Sequence, residues 1–413
     1  MISDPSWKPQ LRPLEAFPVD GDDEAHIGLR DGSGLSPVVL SVSQPAALVI
    51  ALMDGTRTCA QICRTFELAS GQALAPGALD SLLEHLDQAH FLEGPSFEAF
   101  YRDLLAEYRR GPTRPMPHAA ALGIEDDSGS LFRDLLAGIP VRSLPGVVRG
   151  LIAPHLDYPR GSACYAAAYA TLRDRPAPER IVILGTNHFG RGSFVVATAQ
   201  SFSTPLGTTE TDAAFVEQLE ARCGNLRESE LDHAREHSIE LQVAWLQYVF
   251  GAGKFKIVPM LCPDPCLPAP DAGADDGHAG VAGAESLAVR LKQFAAALRD
   301  LMSGDDRDTL LVAGADFSHV GPEFGDAHHI DDALLEEVRR RDHRAIEALE
   351  ANDPETFLAR VAADENPTRV CSAGCMYVLA HALPGCLGTL LGYHQAVDDA
   401  RQCGVTCAAV AFT

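Results

Sequence analysis

Four short apolar runs, separated by helical patterns, constrain the fold of this chain more than any other feature. The runs lie in GVVRGLIAPH, RIVILGTNHFG, KIVPMLC and TLLVAGADFSH, and they are rich in β-branched residues. Nearly continuous apolar strands that alternate with helices are typical of a parallel sheet covered by helices. The sequence therefore predicts a layered α/β fold here. The helical patterns lie at residues 161–173, 211–222, 236–250, 285–302 and 331–349.

Composition narrows the classes of partner. The chain has 413 residues and a net charge of −24, from 33 Lys and Arg against 57 Asp and Glu. This acidic balance argues against nucleic acid and anionic membranes as main partners. No apolar run approaches the roughly 18 residues that a membrane helix needs. The first residues, MISDPSWKPQ, lack the pattern of a signal peptide. We therefore expect a cytoplasmic protein.

Eleven cysteines are many for such a chain, and four pairs of them are spaced i, i+4. On a helix, this spacing places two thiols on one face. An iron–sulfur cluster usually needs further cysteines at short spacing, and none follows the third pair within the next few positions. We therefore expect reduced, buried thiols, with a cluster or a structural zinc as the less favoured alternative. The pairs are Cys59 and Cys63, Cys262 and Cys266, Cys371 and Cys375, and Cys403 and Cys407.

Residues 15–106 have the pattern of a separate small module. An apolar stretch leads to a turn at Asp54-Gly55, and a helical pattern follows. A second, amphipathic helix in PGALDSLLEHLDQAH ends in FLEG, which predicts a short strand or wing. A strand, two helices and a wing are typical of a winged-helix α+β fold. Residues 1–110 carry 16 acidic and 8 basic side chains, so a role in DNA binding is disfavoured.

This module resembles the PqqD-like family, on the stretch LMDGTRTCAQICRTF…LLEHLDQAHFLEG. The shared motif is an apolar residue, Asp-Gly, two helices and an apolar wing. The resemblance implies a module that binds a peptide or a partner protein. The segment RRGPTRPMPH that follows is rich in Pro and Arg, as linkers are. We predict a PqqD-like winged-helix module at residues 1–106, a linker at 107–118 and an α/β domain at 119–413.

Three of the four apolar runs are followed closely by a histidine. His155 follows the first run, His188 the second and His319 the fourth. In open α/β sheets, ligands bind at the carboxyl ends of the strands. A single histidine there is more often structural, but three such placements favour one shared pocket. Because imidazole is a common metal ligand and the usual general base near neutral pH, we expect a metal in that pocket.

Two further segments contribute candidate residues. REHSIELQVAWLQYVF opens with Glu236 and His237 and continues as an amphipathic helix. His237 and Glu240 are one helical turn apart; they face the pocket or belong to charge pairing at the helix start. In RVCSAGCMYVLAHAL, Cys371 precedes an apolar helix, whose N-terminus favours the thiolate. Cys371 is therefore a candidate ligand or nucleophile, or otherwise an ordinary buried thiol.

Six motifs, in order, closely resemble the Memo family over residues 112–413. They are GLIAPHLDYPRG, VILGTNHFG, STPLGTTETD, EHSIELQ, GADFSHVGPEFGD and RVCSAGCMYVLAHAL. The resemblance implies a fold similar to that of class III extradiol dioxygenases, which hold non-haem iron with two histidines and a glutamate. For this chain it implies two histidines and a cysteine as metal ligands, at His155, His188 and Cys371. It also implies that Asp316 and His319 lie near them.

The resemblance extends to partners, and the chain departs from the family in two places. Bacterial members are named protein B of the AmmeMemoRadiSam system, which implies an AMMECR1-like protein and a radical-SAM protein as partners. Gln242 stands where animal members often have histidine. Cys375 is an added thiol near Cys371, which would compete for metal or form a redox pair with it.

Two classes of function follow. The first is a metal-dependent redox enzyme of the oxygenase type that holds Fe(II), with Cu(I) or Zn as alternatives because a thiolate softens the site. His319 or His237 would act in acid–base chemistry, and Asp316 would orient His319. The second is a non-enzymatic protein whose pocket binds metal or an anionic peptide end, while the N-terminal module recruits a peptide or the radical-SAM partner. Oxygen consumption by the iron-loaded protein distinguishes the two classes.

Overall fold

The computed structural model describes residues 6–19, 26–117, 119–124, 126, 128–140, 142–188, 190–266 and 286–413. These residues divide into two compact units. One comprises the described residues up to 110, and the other comprises those from 111 onward. In the described part of the chain, no helix is both long enough and apolar enough to cross a bilayer.

The N-terminal unit packs helices against a small antiparallel sheet in the order β1-β2-β3. Its strands are β1 (Leu14–Val19), β2 (His26–Asp31) and β3 (Val39–Ser43), and its helices are α1 (Gln44–Ile50), α2 (Cys59–Ser70), α3 (Ala78–Gln88) and α4 (Pro95–Arg110). A capping box between Thr58 and Gln61 starts α2. Ile62 of α2 and Leu83 of α3 meet in the core of the unit, where both are fully buried.

The predicted wing differs from the structure. Phe91 and Leu92 are buried in the core of the N-terminal unit, and Leu92 forms only an isolated β-bridge with Leu11. The sheet of this unit lies before the helices in the chain. The apolar FLEG segment therefore reflects burial after a helix rather than pairing in a β-ribbon.

A buried ion pair joins distant parts of the N-terminal unit. The guanidinium of Arg12 donates to both carboxylate oxygens of Asp31, at 3.1 and 3.2 Å, and to the backbone oxygen of His90 at 2.8 Å. The side chains of Arg12 and Asp31 are 2% and 0% exposed. The Arg12 guanidinium also lies 3.7 Å from the ring centroid of Phe97. This pair thus connects the end of β2 to the segment after α3.

The predicted linker, 107–118, is described up to residue 117, and most of these described residues are helix or strand. Its first residues are the last turn of α4, and β4 (Thr113–Pro115) pairs in parallel with β8 (Ser201–Thr204). Arg114 within β4 is buried, at 1% exposure. The Pro and Arg content suggested a linker, but Arg114 at least is a buried residue of a strand.

The second unit contains an eight-stranded sheet, counted over the described residues, in the order β12-β14-β5-β11-β6-β10-β7 with β13 on the other side of β14. Strands β5, β11, β6 and β10 are parallel, as the sequence predicts, and the others pair antiparallel. The strands of this sheet are β5 (Gly150–Ala153), β6 (Arg180–Thr186), β7 (Val196–Ala197), β10 (Lys256–Cys262), β11 (Thr309–Gly314), β12 (Asp316–Val320), β13 (Gly388–Asp398) and β14 (Cys403–Phe412). Strand β9 (Gly207–Thr209) pairs with β8 in a separate three-stranded sheet, in the order β4-β8-β9.

Helices cover both faces of this sheet. On β6, Val182 and Leu184 face one apolar cluster, while Ile181 and Ile183 face another, because side chains alternate along a strand. The layered α/β prediction is therefore confirmed, and each predicted helix is present within a few residues. The helices are α5 (Ser130–Leu136), α6 (Tyr158–Ala170), α7 (Ala213–Cys223), α8 (His237–Phe250), α9 (Leu287–Ser303), α10 (Asp332–Glu350), α11 (Pro354–Ala362) and α12 (Ala373–Ala382).

The fourth apolar run ends earlier than the sequence suggests. Strand β11 stops at Gly314, and Asp316 and His319 lie on a strand of their own, β12, which pairs antiparallel with β14. The backbone N–H of Ala315 donates to the carbonyl of Ala153 at 2.7 Å. The two parallel strands therefore end together, and the chain then turns into an antiparallel ladder.

Candidate metal centre

Three predicted ligands converge where the parallel strands end. His155 follows β5 and His188 follows β6, and β11 lies between these two strands. Cys371 precedes α12. One ligand atom from each of these residues lies within 4.8 Å of the others. The His155 Nε2 atom is 3.6 Å from the Cys371 Sγ atom, and the two imidazole rings are nearly perpendicular, with centroids 4.8 Å apart.

The imidazole of His155 is fixed by the ends of neighbouring strands. Its Nδ1 atom lies 2.9 Å from the carbonyl oxygen of Gly314, which can only accept, so Nδ1 carries the proton of this bond. Its backbone N–H donates to Asp316 Oδ1 at 3.1 Å. This arrangement leaves Nε2 to face Cys371.

The imidazole of His188 is fixed by a carboxylate instead. Glu236 accepts from the backbone N–H of His188 at 3.1 Å, and both its oxygens lie 3.1 Å from the ring Nδ1. Glu236 also accepts from the backbone N–H of Ser238 as the N-cap of α8. Its side chain is only 2% exposed. A carboxylate behind a metal-binding histidine is a common way to orient the ring and raise its basicity.

The thiol of Cys371 is set up as a thiolate. Burial alone would raise its pKa, but the imidazoles of His319, His155 and His188 lower it well below the ordinary thiol value. Its Sγ atom is also 3.2 Å from the hydroxyl of Ser372. A thiolate is the form of cysteine that binds metals and acts as a nucleophile.

Each histidine lies near Cys371 and a carboxylate of its own. Burial lowers the pKa of His155, but Asp316 and Cys371 outweigh it and raise that pKa to about 9. For His188, burial likewise opposes Glu236 and Cys371, and the pKa ends well above its ordinary value. A cation at these ring nitrogens would compete with protons for them.

Asp316 does not hold His319 as predicted. The Nδ1 atom of His319 lies 3.1 Å from the backbone oxygen of Phe317 and 3.2 Å from that of Arg369. Asp316 instead accepts from the backbone of His155, and its Oδ2 lies 3.5 Å from His155 Nε2. Because the Nδ1–H of His319 donates hydrogen bonds to these backbone carbonyls, Nε2 is the ring nitrogen left to accept a proton.

His237 lies beside the three converging residues rather than among them. Its ring stacks on that of His188, with centroids 5.2 Å apart and 15° between the planes, and lies 5.5 Å from that of His155. Its Nδ1 atom is 3.4 Å from Glu236. Its side chain is 40% exposed. Partial burial, opposed by Glu236, lowers its pKa, so the ring is neutral near pH 7.

Arg114, which the sequence analysis did not single out, holds the segment around the start of α8 in place. Arg114, within the predicted linker, donates to the carboxylate of Glu240 and to the backbone oxygens of His233 and Glu236. Arg114 and Glu240 are each 1% exposed. Glu240 does form a charge pair, as one of the two alternatives from the sequence held. Its partner, however, is Arg114, which lies far away in the chain. Nothing in the sequence separates Arg114 from Arg109 and Arg110 in the same stretch.

Two of the three convergent residues, His155 and His188, line a cavity of about 460 Å³. Asp316, His237 and His319 also line it. Two ion pairs, Asp157 with Arg160 and Glu323 with Arg401, belong to the lining as well. The other lining residues are mostly apolar: Leu122, Leu156, Leu241, Phe324 and Val405, with Glu240 and Cys403.

All eleven cysteines lie in described parts of the chain, and each is a free thiol. Five of them are buried, and six are partly exposed. Of the four i, i+4 pairs, Cys59 and Cys63 lie on α2, whereas Cys403 and Cys407 lie on strand β14. The shared spacing therefore has different structural settings.

These observations define an α/β protein with two histidines and a cysteine convergent at the strand ends. The sequence profile of Memo-like proteins matches residues 130–264 and 285–410. The chain therefore belongs to the Memo-like family, and that prediction is confirmed.

Several relatives extend the comparison. A MEMO1 family protein of Methanopyrus kandleri is 31% identical over 260 residues, which are 62% of this chain and 78% of the relative. One of Thermus thermophilus is 30% identical over 322 residues, or 77% and 87%. One of Aquifex aeolicus is 24% identical over 402 residues, or 95% and 97%, so that alignment extends into the N-terminal unit. An uncharacterized protein of Escherichia coli K12 has a TM-score of 0.37 and 15% identity, and the match covers 65% of this chain and 100% of that one.

Proposed function

We propose that His155, His188 and Cys371 bind a metal ion, and that Fe(II) is that ion, with Cu(I) and Zn as the alternatives. The observation that carries the proposal is the convergence of the three ligand atoms within 4.8 Å. The donors fit, because two imidazole nitrogens and a thiolate are ligands that all three metals accept. The cavity that His155 and His188 line favours a site with free coordination positions over a closed structural one.

The function that this geometry supports best is that of a redox or oxygenase-type component. A bound metal would supply Lewis acidity and electron exchange. The chain itself would hold His188 through Glu236 and His155 through Gly314 and Asp316. His319 would accept a proton at Nε2, since its Nδ1–H donates hydrogen bonds to backbone carbonyls.

The cavity walls would exclude water from this chemistry. Leu156, Leu241 and Phe324 lie on the walls, and the ring of Phe324 meets that of His319 edge-on at 5.1 Å. Apolar surroundings strengthen electrostatic interactions within a site.

The partners and the compartment belong to the same proposal. We infer a radical-SAM protein and an AMMECR1-like protein as partners, and a relation of the fold to class III extradiol dioxygenases, from the six motifs. The N-terminal unit would serve as the PqqD-like module that binds a peptide. A cytoplasmic location fits the free thiols, because disulfides are rare in reducing compartments.

A second candidate function is non-enzymatic binding of a peptide or partner through the same pocket and the N-terminal unit. It is favoured by the N-terminal unit, which has an apolar core of its own and can therefore fold as a separate module. Oxygen consumption by the iron-loaded protein, with candidate substrates, separates the two candidates. Consumption that depends on substrate supports the enzyme, and its absence across substrates supports the binding protein.

Anaerobic purification followed by metal analysis tests the site itself. His155→Ala should lose the metal, because a ligand is removed. His319→Ala should keep metal near the stoichiometry of the unmutated protein, while any turnover falls by about 10²–10⁴, the usual contribution of a general base. If His319→Ala loses metal as completely as His155→Ala, the assigned roles are wrong.

A further inference from the structure

A second group of possible metal ligands lies beside the first. One ligand atom from each of His188, Glu236 and His237 lies within 4.8 Å of the others. We call these three residues the second set, and His155, His188 and Cys371 the first set. Glu236 and His237 belong to the second set alone, whereas His188 is common to both.

The buried carboxylate of Glu236 has no permanent counterion. Its side chain is 2% exposed, and in the described part of the chain the basic side chains within ion-pair distance of it are those of His188 and His237. An imidazole balances a negative charge only while it is protonated, and a histidine that binds a metal is not. Arg114 donates to the backbone oxygen of Glu236, not to its carboxylate. Because buried charges in proteins are usually paired or bound to a metal, a cation at Glu236 would supply the missing partner.

The carboxylate of Glu236 is also held in place and keeps acceptor capacity for an ion. Its Oε1 atom accepts from the backbone N–H of Ser238 at 3.0 Å, and its Oε2 atom accepts from that of His188 at 3.1 Å. A carboxylate oxygen has two lone pairs, so each oxygen retains one beyond these backbone bonds. The remaining lone pairs are the ones available to the two ring nitrogens or to an ion between them.

The distances around Glu236 suit a shared ion. Both carboxylate oxygens lie 3.1 Å from Nδ1 of His188, and Oε1 lies 3.4 Å from Nδ1 of His237. Nitrogen and oxygen ligands that one ion holds at about 2.0–2.2 Å lie about 3.0–3.5 Å from each other in tetrahedral or octahedral geometry. The contact to His237 is long for an N–H···O hydrogen bond. A shared proton therefore does not explain the position of His237, whereas a shared ion would.

We propose that Glu236, His237 and the Nδ1 atom of His188 bind a second divalent transition-metal ion. The imidazole of His188 then bridges two ions, with Nε2 in the first set and Nδ1 in the second. A neutral imidazole carries one proton, so the second ion displaces the Nδ1 proton, which leaves to solvent. Because that proton must leave, the second ion binds more weakly than the first. The inference rests on the proposed metal site, since the two sets share His188.

The two sets favour different metals. The first set includes a thiolate, which suits soft ions, whereas the second has two imidazoles and a carboxylate, the donors of many non-haem Fe(II) sites. His188 and His237 both line the cavity, and the side chain of His237 is 40% exposed. An ion in the second set can therefore enter from the cavity and keep coordination positions open toward it. One pocket would then offer a substrate two ions of different character.

Zinc binding by the full chain tests the second set. The protein is freed of metal with a chelator, dialysed against Zn(II) and analysed for bound zinc. The unmutated chain should bind two zinc ions, and His237→Ala should bind one, because only the second set loses a ligand. His237 is partly exposed and begins α8, so alanine there should preserve the helix. Glu236 is left intact, because it also supports His188 in the first set.

His328→Ala is the matched control. His328 is an exposed histidine of the same unit and belongs to neither set, so this variant should still bind two zinc ions. One zinc ion in the unmutated chain, or two in His237→Ala, would overturn the second site. Loss of a zinc ion from His328→Ala would equally overturn it, because the second ion would then lie on the surface.

Co(II) in place of zinc separates the second site from the first. Thiolate ligation gives Co(II) a strong charge-transfer absorption, which should persist in His237→Ala and be lost in Cys371→Ser. Two Co(II) ions joined by an imidazolate are magnetically coupled, so the electron paramagnetic resonance signal of the unmutated chain should fall as the second ion binds. Two uncoupled ions would overturn the bridge while the thiolate absorption leaves the first site standing. Absence of that absorption from the unmutated chain would overturn the first site, and the bridge with it.

Discussion

Two buried arginines, one in each unit, solve the same physical problem with different consequences. Arg12 pairs with Asp31, and Arg114 pairs with Glu240, and all four side chains are almost fully buried. Each guanidinium also donates to backbone oxygens. Burying a charge is tolerated only when its hydrogen bonds are satisfied in this way.

What each arginine connects is different. Arg12 joins the end of β2 to the segment after α3, so its acceptors serve the fold of the N-terminal unit alone. Arg114 binds the backbone oxygen of Glu236, whose carboxylate holds His188. One ion pair therefore stabilises a core, while the other also positions a candidate ligand. The comparison shows that burial and pairing alone do not identify a functional residue.

Replacing Arg114 should have the largest effect. Arg114→Met leaves Glu240 buried without its partner, which costs about 3–5 kcal/mol of unfolding free energy. It should also lower metal stoichiometry, because Glu236 and His188 lose their support. Chemical denaturation and metal analysis on the same preparation check both effects. Arg149→Met is the control, since Arg149 and Asp308 form an exposed pair whose loss should change neither quantity much. Full metal content in Arg114→Met would break the contrast between the two arginines.

Replacing Arg12 should destabilise the N-terminal unit by a similar amount and leave the metal in place. Arg12→Met leaves the buried carboxylate of Asp31 without its ion-pair partner, which again lowers the free energy of unfolding by about 3–5 kcal/mol. Hydrogen exchange read by mass spectrometry should quicken in β2 and α3 but not in β6 or β11. Loss of metal from this variant would contradict the separation of roles.

Glu236→Gln should have an intermediate effect on metal binding. It tests whether Arg114 acts on the site through Glu236. The amide keeps much of the shape but loses the charge, so the affinity for metal should fall by about 10–100-fold. Competition with a chelator measures that change. Glu228→Gln, an exposed acid in the same unit, is the matched control. An unchanged affinity would show that the charge of Glu236 is not what orients His188.

The smallest effect is a dependence of stability on pH in the N-terminal unit. Burial raises the pKa of Asp31, but hydrogen bonds from Ser33 and Ser36 and the charge of Arg12 outweigh it and lower the pKa overall. Asp31 therefore stabilises the folded unit above the ordinary carboxyl pKa near 4, and this is lost as pH falls through its lowered value. Exchange rates in β2 should rise over that window, more steeply in the unmutated chain than in Arg12→Met. Equal slopes would remove Arg12 as the cause.

The sequence predicted features that depend on neighbouring residues, and it failed to predict contacts between residues far apart in the chain. The parallel strands and the positions of His155 and His188 were predictable, because the apolar run and the histidine after it are neighbours. Arg114 was not, because its hydrogen bonds to Glu240 and His233 span 126 and 119 positions. The segment around it has local features of a linker, and local pattern carries no information about such distant partners.

Cys371 shows an intermediate case, since its likeness to a family motif, rather than any local pattern, connected it to the histidines. Glu236 could be read only as part of a helix start, because nothing in the sequence shows that His188 lies behind it. The antiparallel ladder of β12, β13 and β14 was missed for the same reason as Arg114. Its pairing joins residues near 316 to residues near 407, and no repeating signal marks that contact.

Strand β14 also sets the order in which the molecule can mature. It pairs with β12, β5 and β13, so it lies inside the sheet although it is the latest of the described strands in the chain. During synthesis, β5 and its histidine leave the ribosome some 250 residues before this neighbour, which at usual elongation rates of about 5–20 residues per second is a wait of tens of seconds. One of the two edges of β5 therefore stays unpaired for that time. An unpaired strand edge of this kind can pair with another chain, so the interval before β14 is made is the one in which aggregation threatens most.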